Sequence, residues 1–192
     1  MTAAPVMSLP DFGGARAALL EMIERHAVRR GTFKLASGRT SDFFIDCKSV
    51  VLSAEGHVLC GVALAALARA FDPVHAYAGV ALGGCALASA ASFASALLGE
   101  PVPALYVRKE PKDHGTGRLV EGTERLSGRR VVLLEDVVTT GGSTIRAAEA
   151  LRGQGLDVAG AACIVDRVEG GREALDAAGL PLRSLFTRGD FQ

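Results

Sequence analysis

Residues 129–152 constrain the fold most, because they combine an apolar strand, a small polar loop and an amphipathic helix. Residues 131–134 form a short apolar run rich in β-branched side chains, typical of a strand buried on both faces. Small polar residues and glycines fill 139–143, and from Ile145 onward apolar residues recur at helical spacing. A strand, small loop and helix in this order present free backbone N–H groups and a positive helix end to a phosphate.

An acidic pair, Glu135 and Asp136, lies between the apolar run and the loop. Carboxylates would repel a phosphate, but they accept hydrogen bonds from the vicinal hydroxyls of a ribose. The predicted ligand is therefore a ribose 5-phosphate group, with its phosphate in the 139–143 turn. The spacing matches neither a Walker loop nor a dinucleotide fingerprint. The alternative is an ordinary turn whose Asp, Thr and Ser side chains cap a helix.

Alternating strand and helix patterns predict the α/β class, with a mostly parallel, doubly wound sheet in one domain of 192 residues. The expected helices cover 14–28, 55–71, 85–98, a segment from 145, and 169–178. The expected strands of the sheet cover 77–80, 103–107, 131–134, 158–165 and 182–185. A hairpin at 31–46 precedes them. It is either a hood over a site or a plain antiparallel edge, and its adjacent Phe43 and Phe44 would point to opposite faces.

Two further segments suit an anionic ligand. The Gly83–Gly84 pair follows a strand, and it serves either as a second anion-binding turn or as a site of close helix–sheet packing. The segment 108–118 has too few apolar residues to bury a face, so we expect a long exposed loop. It concentrates basic side chains in a chain of zero net charge, which favours diphosphate, and its glycines would let it close as a lid.

The formal net charge of zero argues against nucleic acid or an anionic membrane as a partner. Four widely spaced cysteines are expected to be buried free thiols of a reducing cytoplasm: Cys47, Cys60, Cys85 and Cys163. The N-terminus lacks the pattern of a signal peptide, and the apolar stretches are interrupted and too short to span a bilayer. A cytoplasmic location without a membrane partner is therefore expected.

The loop 108–115 (RKEPKDHG), placed before 135–141 (EDVVTTG), resembles the orotate phosphoribosyltransferase family of the type I phosphoribosyltransferases. The segments 35–39, 41–46, 82–84 and 165–167 agree with the same family. The resemblance runs from the first helix to the last strand. It implies the type I phosphoribosyltransferase fold in a single domain, 1–192, with a small hood formed by about residues 1–50 and the C-terminal end.

The family joins orotate to the ribose of 5-phospho-α-D-ribose 1-diphosphate, giving orotidine 5′-monophosphate and diphosphate in de novo UMP synthesis. The resemblance implies Mg²⁺ as cofactor, carried on the diphosphate without direct protein ligands. It also implies a homodimer in which the 108–118 loop closes over the neighbouring subunit's site.

The resemblance also assigns roles to residues of this chain. Diphosphate is expected to contact Arg108, Lys109, Lys112 and His114. Lys112 and His114 are expected to be catalytic together with Asp136, which holds the ribose hydroxyls with Glu135. The substrate-binding stretch continues through Val137, Val138, Thr139, Thr140, Gly141, Gly142 and Ser143, with the 5-phosphate on the backbone of 139–143. Thr139 and Arg167 are expected to contact orotate, and Phe44 to flank its ring.

Two positions depart from the family, because Ala36 and Gly83 stand where many members carry a lysine. Lys34, Lys48 and Arg39 are the candidate replacements. Three alternative functions stay open: phosphoribosyl transfer to another base, a regulator that senses the donor, and an α/β protein without a ligand. Arg167 and the charged loop favour orotate, and the zero net charge disfavours a nucleic-acid-binding regulator.

Overall fold

The computed structural model describes residues 9–34, 40–110, 119–124 and 126–191, and of residues 34 and 40–42 the backbone alone. In chain order the helices are α1 (Phe12–His26), α2 (Lys48–Val51), α3 (Ala54–Ala68), α4 (Gly83–Leu97), α5 (Gly142–Gly153) and α6 (Gly171–Ala177). The strands are β1 (Val28–Lys34), β2 (Thr40–Ile45), β3 (Ala76–Val80), β4 (Ala104–Val107), β5 (Val120–Glu121), β6 (Arg130–Val138), β7 (Asp157–Asp166) and β8 (Leu182–Thr187).

The main sheet has six strands in the order β5-β4-β3-β6-β7-β8. All neighbouring pairs are parallel except β5, which runs antiparallel along the edge of β4. The mostly parallel, doubly wound sheet is therefore confirmed. The chain winds outward in one direction after β3 and in the other after β6. The crevice between the carboxyl ends of β3 and β6 is thus the switch point at which such sheets bind ligands.

The core lies on both faces of this sheet. Val132 and Leu134 of β6 belong to one apolar cluster, which they share with α1, α3 and α4. Val131 and Leu133 belong to a second cluster, with α5 and α6. Because successive side chains of a strand point to opposite faces, the continuous apolar run of β6 is what a doubly covered central strand requires.

The N-terminal hairpin forms a separate two-stranded antiparallel sheet of β1 and β2. It packs against the C-terminal end of the chain, where the Phe43 ring lies 6.4 Å from the Phe191 ring, centroid to centroid. The Arg16 guanidinium of α1 donates to the backbone carbonyl of Leu185 at 3.0 Å. The hairpin is therefore not an added edge of the main sheet, and it packs against the C-terminal segment that α1 also contacts.

Several predicted boundaries were wrong. Val28 begins β1 instead of ending α1, and β6 continues through the acidic pair to Val138, because these residues still pair with β7. Helix α5 begins at Gly142, directly after Gly141 in a left-handed conformation (φ 75°). The short elements α2 and β5 had no clear sequence signal, since four and two residues are too few to show a period.

The expectation that no apolar stretch could cross a bilayer needs correction. Residues Ala54–Phe71 form an 18-residue helical segment of mean hydropathy 1.3, long and apolar enough by length and composition. Most of this segment is buried inside the fold, as in the core helix of a soluble protein. Gly61 shows how close α3 and α4 pack, because a Cβ there would lie 2.4 Å from the Ala90 carbonyl oxygen.

Candidate active site

The site begins where β6 extends past its neighbour. Strand β3 pairs with β6 only as far as Leu134, so Glu135 and Asp136 project beyond the end of β3. The 81–84 turn occupies this space, and a Cβ on Gly83 would lie 2.9 Å from Asp136 Oδ2. A Cβ on Gly84 would lie 2.7 Å from the carbonyl oxygen of Leu134. The glycine pair therefore permits close packing of α4 against β6, the second of the two roles predicted for it.

The two carboxylates differ in their surroundings, as alternation along a strand requires. Glu135 is 6% exposed, and its Oε1 accepts hydrogen bonds from the hydroxyls of Thr144 at 3.3 Å and Ser143 at 3.5 Å. The Asp136 side chain is more accessible, and its Oδ1 accepts a hydrogen bond from the backbone N–H of Val137 at 2.9 Å. Asp136 is thus the carboxylate more available to a ligand, and Glu135 is held beneath the first turn of α5.

Burial, and to a lesser extent repulsion from Asp136, raise the pKa of Glu135 to about 8, against smaller opposing contributions from the two hydroxyls and Lys109. A buried carboxyl that lies close to a second carboxyl favours its neutral form. Glu135 is therefore largely protonated near neutral pH in the chain without ligands.

This pKa predicts how folding stability changes with pH. The pKa of Glu135 in the folded chain lies above its unfolded value of 4.5. The contribution of Glu135 to the free energy of unfolding is therefore complete below pH 4.5 and is lost as pH rises through about 8. Glu135→Gln removes this loss of stability at high pH, because the glutamine amide does not ionise. We expect it to raise the unfolding temperature at pH 9 by about 5–10 °C over the unsubstituted chain, with little difference at pH 5.

The measurement is thermal unfolding from pH 5 to pH 9. Glu149→Gln is the matched control, because Glu149 is exposed on the outer face of α5. Curves of the Glu135→Gln variant and the unsubstituted chain that run parallel across this range would contradict the assignment.

The turn before α5 has the features of a phosphate site. Gly141 occupies the N-cap position of the helix, and as a glycine it has no side chain to make a capping hydrogen bond. The alternative of a helix capped by Asp, Thr or Ser is therefore wrong, and the first backbone N–H groups of α5 are available to an anion. The turn is supported from below by α6, because a Cβ on Gly171 would lie 2.6 Å from the Thr139 carbonyl oxygen.

Arg167 follows β7 at the same edge of the sheet, and its backbone N–H donates to the Val138 carbonyl at 2.9 Å. Its guanidinium is buried, with Nη2 2.7 Å from Glu169 Oε1, and its Nε has no hydrogen-bond partner in the part of the chain that the structure describes. Val168 between them adopts a left-handed conformation (φ 55°), which is strained for a β-branched residue. A buried cation with an unsatisfied donor suits a carboxylate ligand.

The hairpin reaches this edge through the Phe43 carbonyl, which lies 3.5 Å from Arg167 Nη2. Phe43 itself points inward and is 5% exposed. Phe44 is partly exposed, with its ring centroid 5.5 Å from that of Phe33. The prediction that one of the two rings packs inward is confirmed. That Phe44 faces a cleft and contacts a substrate ring stays a prediction.

Only the stem of the charged loop belongs to the described residues. Arg108 donates through Nε to Glu121 Oε1 at 3.0 Å, which ties the end of β4 to β5. Lys109 is exposed, and its charge acts to lower the pKa of Glu135. Lys112 and His114 lie outside the described residues. Their roles and the lid stay predictions.

Lys48 is the described candidate for the missing lysines. Its Nζ lies 2.8 Å from Asp46 Oδ1 and 3.9 Å from Asp136 Oδ2. The hydrogen bond to Asp46 raises the pKa of Lys48, and the charge of Asp136 adds to this against partial burial. Ala36 and Arg39 lie outside the described residues, as does the Lys34 side chain.

Sequence reasoning missed three contributors to the site: Thr144, Asp46 and Glu169. Thr144 had a usable signal, because a hydroxyl in the first turn of the helix lies close to the end of the strand before it. Glu169 lies only two residues after Arg167, yet the left-handed turn that folds it back depends on tertiary structure. Asp46 acts through Lys48, which appeared in the sequence only as one of several cations.

Three of the four cysteines are buried, and Cys85 is partly exposed. All four are free, and burial is the main cause that raises the pKa of each thiol. Among the described residues no group of three or more His, Cys, Asp or Glu side chains is arranged to hold a metal ion. The carboxylates of Glu135 and Asp136 offer oxygen atoms, the kind of ligand that Mg²⁺ prefers.

A cavity of about 840 Å³ opens elsewhere, between the start of α1, α3 and the end of α4. Its walls are mostly apolar, and none of the described site residues lines it. Size alone therefore does not locate the chemistry of this chain. The site is located instead by the switch point of the sheet, where charged groups and the N-terminus of α5 lie together.

Comparison with known proteins agrees with this site. The family described as Phosphoribosyl transferase domain matches residues 76–178. The orotate phosphoribosyltransferase of Sorangium cellulosum is 54% identical over 177 residues, which cover 92% of this chain and 92% of that protein. The crystal structure of Mycobacterium tuberculosis orotate phosphoribosyltransferase in complex with 5-phospho-α-D-ribosyl 1-diphosphate superposes with a TM-score of 0.74 at 30% identity, covering 94% of this chain and 93% of that one.

A second relative, with lower sequence identity, gives the same result. The orotate phosphoribosyltransferase of Aquifex aeolicus is 41% identical over 174 residues, which cover 89% of this chain and 94% of that protein. The matches span both the sheet and the N-terminal hairpin, so the likeness is not confined to the phosphate-binding turn. The chain belongs to the phosphoribosyl transferase family and, within it, to the orotate phosphoribosyltransferases.

Proposed function

We propose that this chain transfers the 5-phosphoribosyl group from 5-phospho-α-D-ribose 1-diphosphate to orotate, a step of pyrimidine synthesis. One observation carries the proposal. The accessible Asp136, the uncapped N-terminus of α5 and the buried Arg167 lie at the ends of the adjacent strands β6 and β7. A ribose, a phosphate and a carboxylated base need these three groups. Relatives named for this reaction cover about nine-tenths of the chain.

Each group has a definite task in the proposal. The backbone N–H groups from 139 to 143 bind the 5-phosphate, and Asp136 with Glu135 holds the ribose hydroxyls. Arg167 binds the orotate carboxylate, with Thr139 and Phe44 beside the ring. Bond cleavage at the ribose carbon develops positive charge on the sugar, which the Asp136 carboxylate stabilises.

The departing diphosphate carries high negative charge, and the proposal assigns its stabilisation to the loop residues Arg108, Lys109, Lys112 and His114. The same loop excludes water, which would otherwise hydrolyse the donor. Mg²⁺ is the proposed cofactor, and when bound it neutralises part of the diphosphate charge.

We also propose that residues 1–192 form one cytoplasmic domain, with the hairpin and C-terminal end as its hood, and that the chain acts as a homodimer. The outer face of α4 supports the dimer, because Phe93 and Leu97, four residues apart, are 63% and 58% exposed. The hydroxyl of Tyr106 forms a hydrogen bond with the hydroxyl of Ser89, which also belongs to α4. An apolar face of this kind is typical of a protein contact. Sedimentation equilibrium that shows monomer alone would contradict the dimer.

The test of the activity is the loss of orotate absorbance with donor and Mg²⁺ present, then with each omitted. Turnover that needs both supports the proposal. Consumption of adenine or hypoxanthine in place of orotate would assign a different base. Donor binding in calorimetry without any turnover would favour a donor-sensing regulator instead.

Asp136→Asn tests the ribose assignment. The amide keeps the shape of the side chain but loses the negative charge and one of the two oxygens that accept hydrogen bonds from the ribose hydroxyls. We expect KM for the donor to rise about tenfold to hundredfold while KM for orotate changes little. Asp157→Asn, exposed at the opposite end of β7, is the control. Equal weakening of both substrates would count against this role.

A further inference from the structure

Lys48 has a placement that its sequence position does not reveal. It is the first residue of α2, directly after the hairpin, and its ammonium group lies between two carboxylates. Asp46 Oδ1 accepts hydrogen bonds from both the backbone N–H of Lys48 at 3.1 Å and its Nζ at 2.8 Å. This double contact directs the side chain toward Asp136, 3.9 Å away.

We propose that Lys48 is a donor-binding residue that contacts the diphosphate of the substrate from the fixed wall of the site, and that Asp46 positions it. This inference rests on the proposed function and adds a residue to it. It assigns a cation to the hairpin side of the site, separate from the cations of the 108–118 loop.

The chemistry of the donor places the diphosphate within reach. The diphosphate is attached to the ribose carbon next to the one that carries the 2-hydroxyl. A cation about 4 Å from the carboxylate that holds this hydroxyl therefore lies a few ångströms from the nearest diphosphate oxygens. Without it, Asp136 would repel the incoming diphosphate. Lys48 removes that repulsion and offers hydrogen-bond donors.

Gly83 explains why the cation comes from this direction. A Cβ at Gly83 would lie 2.9 Å from Asp136 Oδ2 and 3.0 Å from Asp136 Cγ, so a lysine there requires Asp136 to move. The Asp136 carboxylate thus fills the space in which a side chain from the 81–84 turn would begin. The approach from α2 is open, since the Lys48 side chain is about half exposed.

The arrangement is held by the surrounding backbone. The Ser49 hydroxyl donates to the carbonyl of His26 at 3.1 Å and lies 3.4 Å from the carbonyl of Asp46. These contacts join the start of α2 to the end of α1 and fix the corner that carries Asp46 and Lys48. The cation is therefore set in place before the donor arrives.

The test compares three ligands by calorimetry on the folded full-length chain: diphosphate with Mg²⁺, ribose 5-phosphate, and orotate. Lys48→Gln is expected to weaken diphosphate about tenfold to hundredfold and to leave ribose 5-phosphate within about twofold. Lys48→Arg keeps the charge and should retain most of the affinity. Asp46→Asn should weaken diphosphate less than Lys48→Gln does, because the cation remains but loses its support.

Arg25→Gln is the matched control, because Arg25 forms a similarly exposed ion pair with Glu21 away from the site. Unchanged diphosphate affinity in Lys48→Gln would overturn the proposal, as would equal weakening of diphosphate and ribose 5-phosphate, which indicates a displaced Asp136. A Lys48→Arg variant as weak as Lys48→Gln would also overturn it. These bindings do not depend on turnover, so failure of the orotate assay is a separate result.

Discussion

Gly79→Ala is expected to destabilise the chain by about 3 kcal/mol or more, because the new methyl group has no space. Gly79 lies in β3, and a Cβ there would lie 1.8 Å from the carbonyl oxygen of Gly84 and 2.7 Å from the backbone nitrogen of Cys85. Both neighbours are backbone atoms at the start of α4, so the clash cannot be relieved by rotation of a side chain. The helix itself must move from the sheet.

The measurement is thermal unfolding, with an expected decrease of about 6–12 °C for a chain of this size. Gly153→Ala is the control, since Gly153 is helical and a Cβ there would meet nothing within 4 Å. It should be neutral or slightly stabilising. A shift of the start of α4 would also move Gly83, which lies beside Asp136. We therefore expect the folded Gly79→Ala protein to have a higher KM for the donor. An unchanged unfolding temperature would refute the close packing.

Arg167→Gln is expected to lower kcat/KM for orotate by about 10²- to 10³-fold, because a carboxylate would then enter a buried site without its cation. The donor should bind with nearly unchanged affinity, since its phosphate and ribose groups are proposed to bind at α5 and β6. Glu169 loses its partner in this variant, but it retains some contact with solvent. The Glu169 side chain is only 19% exposed, however, so its unpaired carboxylate also lowers stability, and thermal unfolding measured beside the kinetics separates this effect from the loss of orotate use.

Steady-state kinetics with each substrate varied, together with donor calorimetry, separates these effects. Arg183→Gln, which removes an exposed arginine from β8, is the matched control. A loss shared equally between orotate and donor would indicate a distorted sheet edge instead of a missing carboxylate partner. Full activity with orotate would remove Arg167 from the base-binding site.

Local patterns were sufficient for much of this molecule. The apolar run in β6 predicted a doubly covered central strand, and the adjacent phenylalanines predicted two rings on opposite faces of a strand, one of them packed inward. Both were confirmed, because strand alternation and burial on two faces follow from the order of side chains. The boundaries were less accurate, since β6 continues through Glu135 and Asp136 by pairing with β7.

Other features depend on contacts between distant segments. The pKa of Glu135 is raised by burial beneath α5, which its sequence neighbours do not reveal. The position of Lys48 beside Asp136 joins residues 88 positions apart in the chain. The fold of Glu169 onto Arg167 requires Val168 to adopt a conformation that its own preferences oppose.

The sequence by itself determined the class of fold and the family, and it located the turn proposed to bind phosphate, because periodicity and motif order are local properties of the chain. Only the tertiary structure decided which carboxylate is accessible, which cation lies beside it and why Gly83 bears no side chain. These outcomes depend on distances between β6, α2 and the 81–84 turn. Such distances arise when the sheet and its helices pack together, and no single segment encodes them.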